Sequence, residues 1–183
     1  MNKIVVISSS ANELRHFVRI VASLPAPCSS TFLLVRHIGT NPCVLPALLS
    51  GVGELPVGHP VNGTKLRTGH LYVAPPDFHM VLKGAYIRLH RGPKVHGARP
   101  AADPLFISAA ESHGERVVGV ILSGQDEDGL AGLRMIKRQG GAAIIQDPGE
   151  IGSVGAAYAA FAAEHPVDCL NMTEIAERLI GLC

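Results

Sequence analysis

A short apolar run, Lys3-Ile4-Val5-Val6-Ile7, ends in three serines, Ser8-Ser9-Ser10, and an amphipathic helix pattern begins at once. Leu14, Phe17, Val18 and Val21 recur at i, i+3, i+4 and i+7, which is one face of a helix. A buried strand that feeds straight into a helix opens a doubly wound α/β fold, in which ligands bind beyond the carboxyl ends of the strands. Ser10 is thereby placed beside backbone N–H groups at a helix start. Ser10-Ala11-Asn12-Glu13 also fits the S-x-x-E capping box, so a structural role for this serine stands beside a chemical one.

The rest of the chain repeats the pattern. Thr31–Val35 is a second buried strand ending at Arg36-His37, and Pro42–Leu49 reads as a short helix with Pro42 near its first turn. Residues 51–65, rich in Gly, Pro and Val, read as loop with an edge strand. Leu71–Ala74 is a strand closed by Pro75-Pro76, and His79–Leu82 with Ala85–Leu89 forms a hairpin around Lys83-Gly84. After a Pro/Gly-rich connector, Asp103 is read as the cap of a helix reaching about His113, with Leu105, Phe106, Ala109 and Ala110 on one face. Val117–Leu122 is the most continuous apolar strand, and its loop, residues 123–129, leads into a helix from Leu130 to about Arg138. Ala142–Gln146, an Ala-rich helix near 155–163, a brief strand at Val167–Leu170 and a helix from Thr173 complete the order. Strands alternating with helices predict a mainly parallel sheet with helices on both faces and a small antiparallel hairpin. A single domain over 1–183 is expected.

Composition narrows the function. With 47% hydrophobic and 17% charged residues, disorder is excluded as a class. A net charge of +1, 4% aromatics and no Trp disfavour nucleic-acid binding. No apolar stretch is long enough to span a bilayer. Cys28, Cys43, Cys169 and Cys183 are scattered without a C-x-x-C pair, which predicts neither a zinc site nor a disulfide framework and makes a reducing cytoplasm the default location. No metal or cofactor is expected. Asp126-Glu127-Asp128 lacks the alternating spacing of an EF-hand loop, and His79, His90 and His96 fall at no convincing ligand spacing.

Ser10, His37 and Asp128 each lie just past the carboxyl end of a predicted strand, so all three converge on one rim. A serine needs a base within hydrogen-bond reach, and the base needs a group that holds its tautomer. These residue types supply those roles. Against this, His37 is one of nine histidines, and Asp128 also suits the first turn of a helix for its dipole alone.

The chain also resembles the catalytic domain of the chemotaxis protein-glutamate methylesterases (CheB family) over nearly its whole length. Ser8-Ser9-Ser10 stands where that family has Gly-Ala-Ser, and Arg36-His37 where it has Gln-His. Gly69–Pro75 followed by His79-Met80 resembles its Gly-x-x-Tyr-x-Ala-Pro and His-Met signatures. Arg99-Pro100-Ala101-Ala102-Asp103-Pro104-Leu105-Phe106 resembles its Arg-Pro-Ser-x-x-x-Leu-Phe stretch. Gly119–Gly124, then Asp128-Gly129 and Gly132, resembles its Leu-Thr-Gly-x-Gly-x-Asp-Gly segment, and Gly140-Gly141 through Gln146-Asp147 continues the match.

The resemblance implies Ser10 as nucleophile, His37 as base and Asp128 as its orienting acid. Backbone N–H groups near Ala11 and Gln125 become oxyanion donors, and Asn12 and Glu13 line the substrate approach. It implies hydrolysis of glutamyl γ-methyl esters, with deamidation of certain glutamines, on cytoplasmic segments of methyl-accepting chemoreceptors or another methylated signalling protein. The family's N-terminal receiver domain is absent from the match.

Departures gather at this rim. Asn12 and Glu13 replace two glycines, Gln125-Asp126 replaces Met-Gly, Ala156-Ala157 replaces Met-Pro, and Ala101 replaces a serine. Glu13 brings a negative charge toward a developing oxyanion, which opposes the expected electrostatics. The competing reading is therefore a non-catalytic member that binds a receptor or partner; a small-molecule esterase on the same fold is a third.

Overall fold

The computed structural model describes residues 2–9, 14–37, 44–122, 127–150, 158, 161–163, 165 and 167–183. Strand β1 (Ile4–Ser9) is buried along its whole length and occupies the centre of a seven-stranded sheet. On one side lie β2 (Thr31–Arg36), β4 (Leu71–Val73) and β3 (Val57–Gly58); on the other lie β7 (Val117–Leu122), β8 (Ala142–Gln146) and β9 (Asp168–Leu170). Every pairing in this sheet is parallel. Strands β5 (His79–Lys83) and β6 (Tyr86–His90) form a separate antiparallel pair, so the predicted doubly wound sheet with a hairpin is the observed fold.

The two-residue side-chain period of β1 divides the core. Ile4 and Val6 face one apolar layer, completed by helices α3 (Ala102–His113) and α4 (Leu130–Arg138) and by the hairpin. Val5 and Ile7 face the other, completed by α1 (Leu14–Ser23), α2 (Leu45–Ser50) and α5 (Met172–Ile180). The buried stripe of α1 is His16, Phe17, Ile20 and Val21; Leu14 and Val18 are only half-buried, so the stripe is rotated from the predicted one. Glycine is required where α3 and α4 cross, because a Cβ on Gly132 would lie 2.3 Å from the Phe106 Cβ.

Register sets the ends of the three central strands level. Ser9 pairs with Arg36 on β2 and with Leu122 on β7. The order reverses about β1, since the chain first builds outward through β2 and then returns to its other flank with β7. Such a switch point opens a crevice at the carboxyl ends of the strands, and His37 follows directly from the end of β2 there.

Four local expectations are corrected. The short helix begins at Leu45 behind Val44, with positions 42 and 43 outside the described residues. Asp103 does not cap its own helix; Ala101 is the N-cap and contributes no side-chain bond. The last helix starts at Met172 with a full Asn171/Glu174 capping box, in which each side chain bonds the other residue's N–H. Cys28 and Cys183, 155 residues apart, form a disulfide. Spacing along the chain concealed that pair because β2 and α5 return to the same end of the sheet, where Ser29 N–H donates to the Cys183 carbonyl (3.1 Å) and the Ser30 hydroxyl to that of Leu182 (2.6 Å). A disulfide removes the cysteine pattern as support for a reducing compartment. Cys169 is free and exposed. Most of the Ala-rich segment lies outside the described residues; Tyr158 and 161–163 are helical.

A link closing so long a loop stabilises chiefly by restricting the unfolded chain, by about 2–5 kcal/mol. Thermal unfolding with and without reductant should therefore differ by roughly 5–15 °C. Identical melting temperatures, with thiol titration confirming full reduction, would show that the two backbone-directed bonds alone secure the C-terminus.

Candidate active site

Two of the sequence-predicted site residues, His37 and Asp128, lie among the described residues. Ser10, Ala11, Asn12, Glu13, Gln125, Asp126, Ala156 and Ala157 lie outside the described residues. His37 and Asp128 come together: His37 Nε2 lies 2.6 Å from Asp128 Oδ2. The His37 side chain is 20% exposed and that of Asp128 fully buried, so the pair has one face toward solvent and one in the core.

Burial by itself would raise the Asp128 pKa. The hydrogen bond from His37 and those from the Ala102 and Asp103 backbone N–H groups outweigh it, and the carboxyl is held below its ordinary value. Oδ2 also accepts from Ala102 N–H (2.6 Å), and Oδ1 accepts from Asp103 N–H (2.9 Å). These are orphan donors in the first turn of α3, so Asp128 caps a helix to which it does not belong. The Tyr158 hydroxyl donates to the Asp128 carbonyl at 2.8 Å and ties down its backbone as well.

Asp103 returns the arrangement. From the first turn of α3 its Oδ1 accepts from Gly129 N–H (3.0 Å) and Gly132 N–H (2.8 Å) at the start of α4. The N-termini of α3 and α4 thus exchange carboxylate caps, and Gly129 (φ 101°) makes the turn between Asp128 and α4. Burial raises the Asp103 pKa, the Gly132 N–H opposes this, and the nearby Asp128 charge adds to the rise. His96 Nε2 lies 3.2 Å from Asp103 Oδ2 and is half outside the protein, at a turn where it adopts φ 48°. This second histidine–aspartate pair was invisible to spacing arguments. The Arg99–Phe106 motif contained Asp103, but nothing in it specified which helix the carboxylate would cap.

His96, Asp103 and Asp128 place donor atoms within 4.8 Å of one another, the one such group among the described residues. Both Asp128 oxygens and Asp103 Oδ1 already accept N–H bonds, so a cation there would have to displace the helix caps. The chemistry of the donor set favours a hydrogen-bonded cradle. Next to it His79 is buried, its Nε2–H donating to the Pro93 carbonyl at 2.9 Å, in keeping with a structural role. Asp77 holds Arg99, whose Nε donates at 2.9 Å, and Arg99 also donates to the Gly92 carbonyl.

Two outcomes follow from this geometry. Asp103→Ala orphans two buried N–H groups and should destabilise the fold by about 2–4 kcal/mol in denaturant unfolding. Asp103→Asn keeps the accepting oxygen and should cost markedly less; equal losses for the two would contradict the capping role. Burial holds His79 and His113 below the ordinary histidine pKa. Their unfolded forms therefore take up protons first, so the stability they carry is intact above about pH 6.5 and is lost as pH falls below it. Melting temperature should drop between pH 7 and pH 5, with a shallower slope in His79→Asn; a flat wild-type profile would refute this.

Comparison with known proteins identifies the family and the fold. A family model described as CheB methylesterase covers residues 5–179. The chain is 36% identical over 148 residues to a protein-glutamate methylesterase/protein-glutamine glutaminase of Pyrococcus abyssi, covering 78% of this chain and 40% of that protein. It is 33% identical over 183 residues to one of Chromohalobacter salexigens, covering 97% and 51%. The chain thus spans about half the length of these curated relatives, or less. The crystal structure of the Thermotoga maritima CheB methylesterase catalytic domain superimposes with a TM-score of 0.91 at 30% identity, with complete coverage of both chains. A match that runs from the first strand to the last helix, in sequence and in fold alike, establishes that this chain belongs to the CheB methylesterase family.

Proposed function

We propose that this chain is a serine esterase that hydrolyses protein glutamate γ-methyl esters, and deamidates glutamines by the same route, through Ser10, His37 and Asp128. The observation that carries the reading is the 2.6 Å bond between His37 Nε2 and Asp128 Oδ2 at the switch point of the sheet. An ionised carboxylate only accepts, so Nε2 carries the proton and the lone pair of neutral His37 resides on Nδ1. Nδ1 is then the atom that takes the Ser10 proton.

In this reading Ser10 Oγ attacks the ester carbonyl, and backbone N–H groups near Ala11 and Gln125 receive the oxyanion. The imidazolium, stabilised by Asp128, returns its proton to the departing methoxide and methanol leaves. Water, deprotonated by His37, then cleaves the acyl-enzyme and frees the glutamate carboxylate. For a glutamine the leaving group is ammonia. Asn12 and Glu13 shape the approach to Ser10. The substrate class is that in the relatives' names, protein glutamate, and we place it on cytoplasmic segments of methylated chemoreceptors or a similarly methylated signalling protein.

Methanol release from a methylated receptor fragment tests the assignment. Ser10→Ala and Asp128→Asn should each lower kcat by about 10⁴-fold or more. Unchanged release in Ser10→Ala would end the hydrolytic reading and leave a module that binds its partner without turnover.

A further inference from the structure

Charge is unevenly distributed along the chain. Residues 55–101 hold seven of the sixteen Lys and Arg but one of the fifteen Asp and Glu. That one acid, Asp77, is engaged by Arg99 and lies 3.4 Å from Arg91. Lys65, Arg67, Lys83, Arg88, Arg91 and Lys94 are all exposed. The hairpin organises them. Its inner side buries Met80, Leu82 and Ile87, while Tyr86, Arg88 and His90 alternate along the outer side of β6. The Lys65 backbone pairs with that of Tyr86 in an isolated antiparallel bridge, the Arg88 guanidinium lies 6.0 Å from the Tyr86 ring, and that of Arg91 lies 4.6 Å from the Phe78 ring.

This face is fixed relative to the site. Leu82 and Gly84 N–H groups donate to the Ser108 and Ser112 hydroxyls on α3, the helix whose first turn holds Asp128.

We propose that the outer face of the β5–β6 hairpin, with the connector through Lys94, is a docking surface for an acidic protein segment: the glutamate-bearing stretch of substrate that flanks the scissile ester. The proposal rests on the esterase reading and adds where the substrate is held. With a whole-chain charge of +1, steering by net charge is weak, and screening confines each cation's reach to about 8 Å at physiological salt. The partner must therefore lay its anions directly on the hairpin. A protein segment bearing several glutamates does so, and each hydrolysis converts a neutral ester into a further carboxylate. The surface accordingly binds processed neighbours of the ester more tightly than unprocessed ones. Extended nucleic acid fits less well, because the cations occupy one hairpin and its connector in a chain of pI 7.8.

Fluorescence anisotropy with the full chain tests this using a labelled helical peptide rich in glutamate and its glutamine-substituted twin, glutamine being neutral like the ester. At low salt the glutamate peptide should bind about tenfold more tightly, and added salt should erase the preference. Lys83→Glu/Arg88→Glu/Lys94→Glu should abolish the preference at an unchanged melting temperature; if that variant unfolds, Arg88→Glu alone should reduce it about threefold. Equal affinity for the two peptides, or a preference surviving in a folded variant, overturns the proposal. Tighter binding to single-stranded RNA or to phosphatidylserine vesicles than to the glutamate peptide also overturns it, by naming a different occupant. The readout needs no turnover, so it stands whether or not Ser10→Ala abolishes methanol release, and the two readings fail separately.

Discussion

The exchange of carboxylate caps between α3 and α4 is the constraint from which the rest of the site derives. Asp128 is fully buried yet ionised, a state that would be costly without compensation. Two backbone N–H groups of α3 and the His37 imidazole provide that compensation. Asp103 meets the corresponding need at α4, accepting from the Gly129 and Gly132 N–H groups. The same contacts satisfy the start of α3 and orient the histidine, so helix capping and the geometry of the His37–Asp128 pair reside in one set of bonds. Tight packing at Gly132 against Phe106 brings the two helix starts close enough for this exchange.

Ala101, the N-cap of α3, contributes no side-chain bond. Asp128 supplies the missing acceptor from across the interface. The hairpin joins this frame through Ser108 and Ser112, so a cationic surface and a histidine–aspartate pair share α3 as their common support. That shared helix holds the hairpin and the His37–Asp128 pair in one fixed geometry.

Much of this was legible in the residues themselves. The strands declared themselves as continuous apolar runs because both faces of a parallel sheet are covered. The hairpin was legible from two apolar runs flanking Lys83-Gly84, and His37 and Asp128 from their positions past strand ends. The α1 stripe was misplaced by part of a turn, since Ile20 packs inward while Leu14 and Val18 reach the edge of the layer. Asp103 looked like a cap and is one, but for a neighbouring helix. The Cys28–Cys183 pair is invisible to spacing along the chain, because β2 and α5 meet only through the whole fold.

What the sequence by itself determined is the succession of strands and helices, the parallel sheet they imply and the residue types gathered at its rim. Local periodicity and turn chemistry suffice for these, since they depend on near neighbours. Only the tertiary structure decided which groups meet: His37 with Asp128, Asp103 with the start of α4, and Cys28 with Cys183. Those contacts join residues separated by 26 to 155 positions, and register, helix crossing and strand order set their partners.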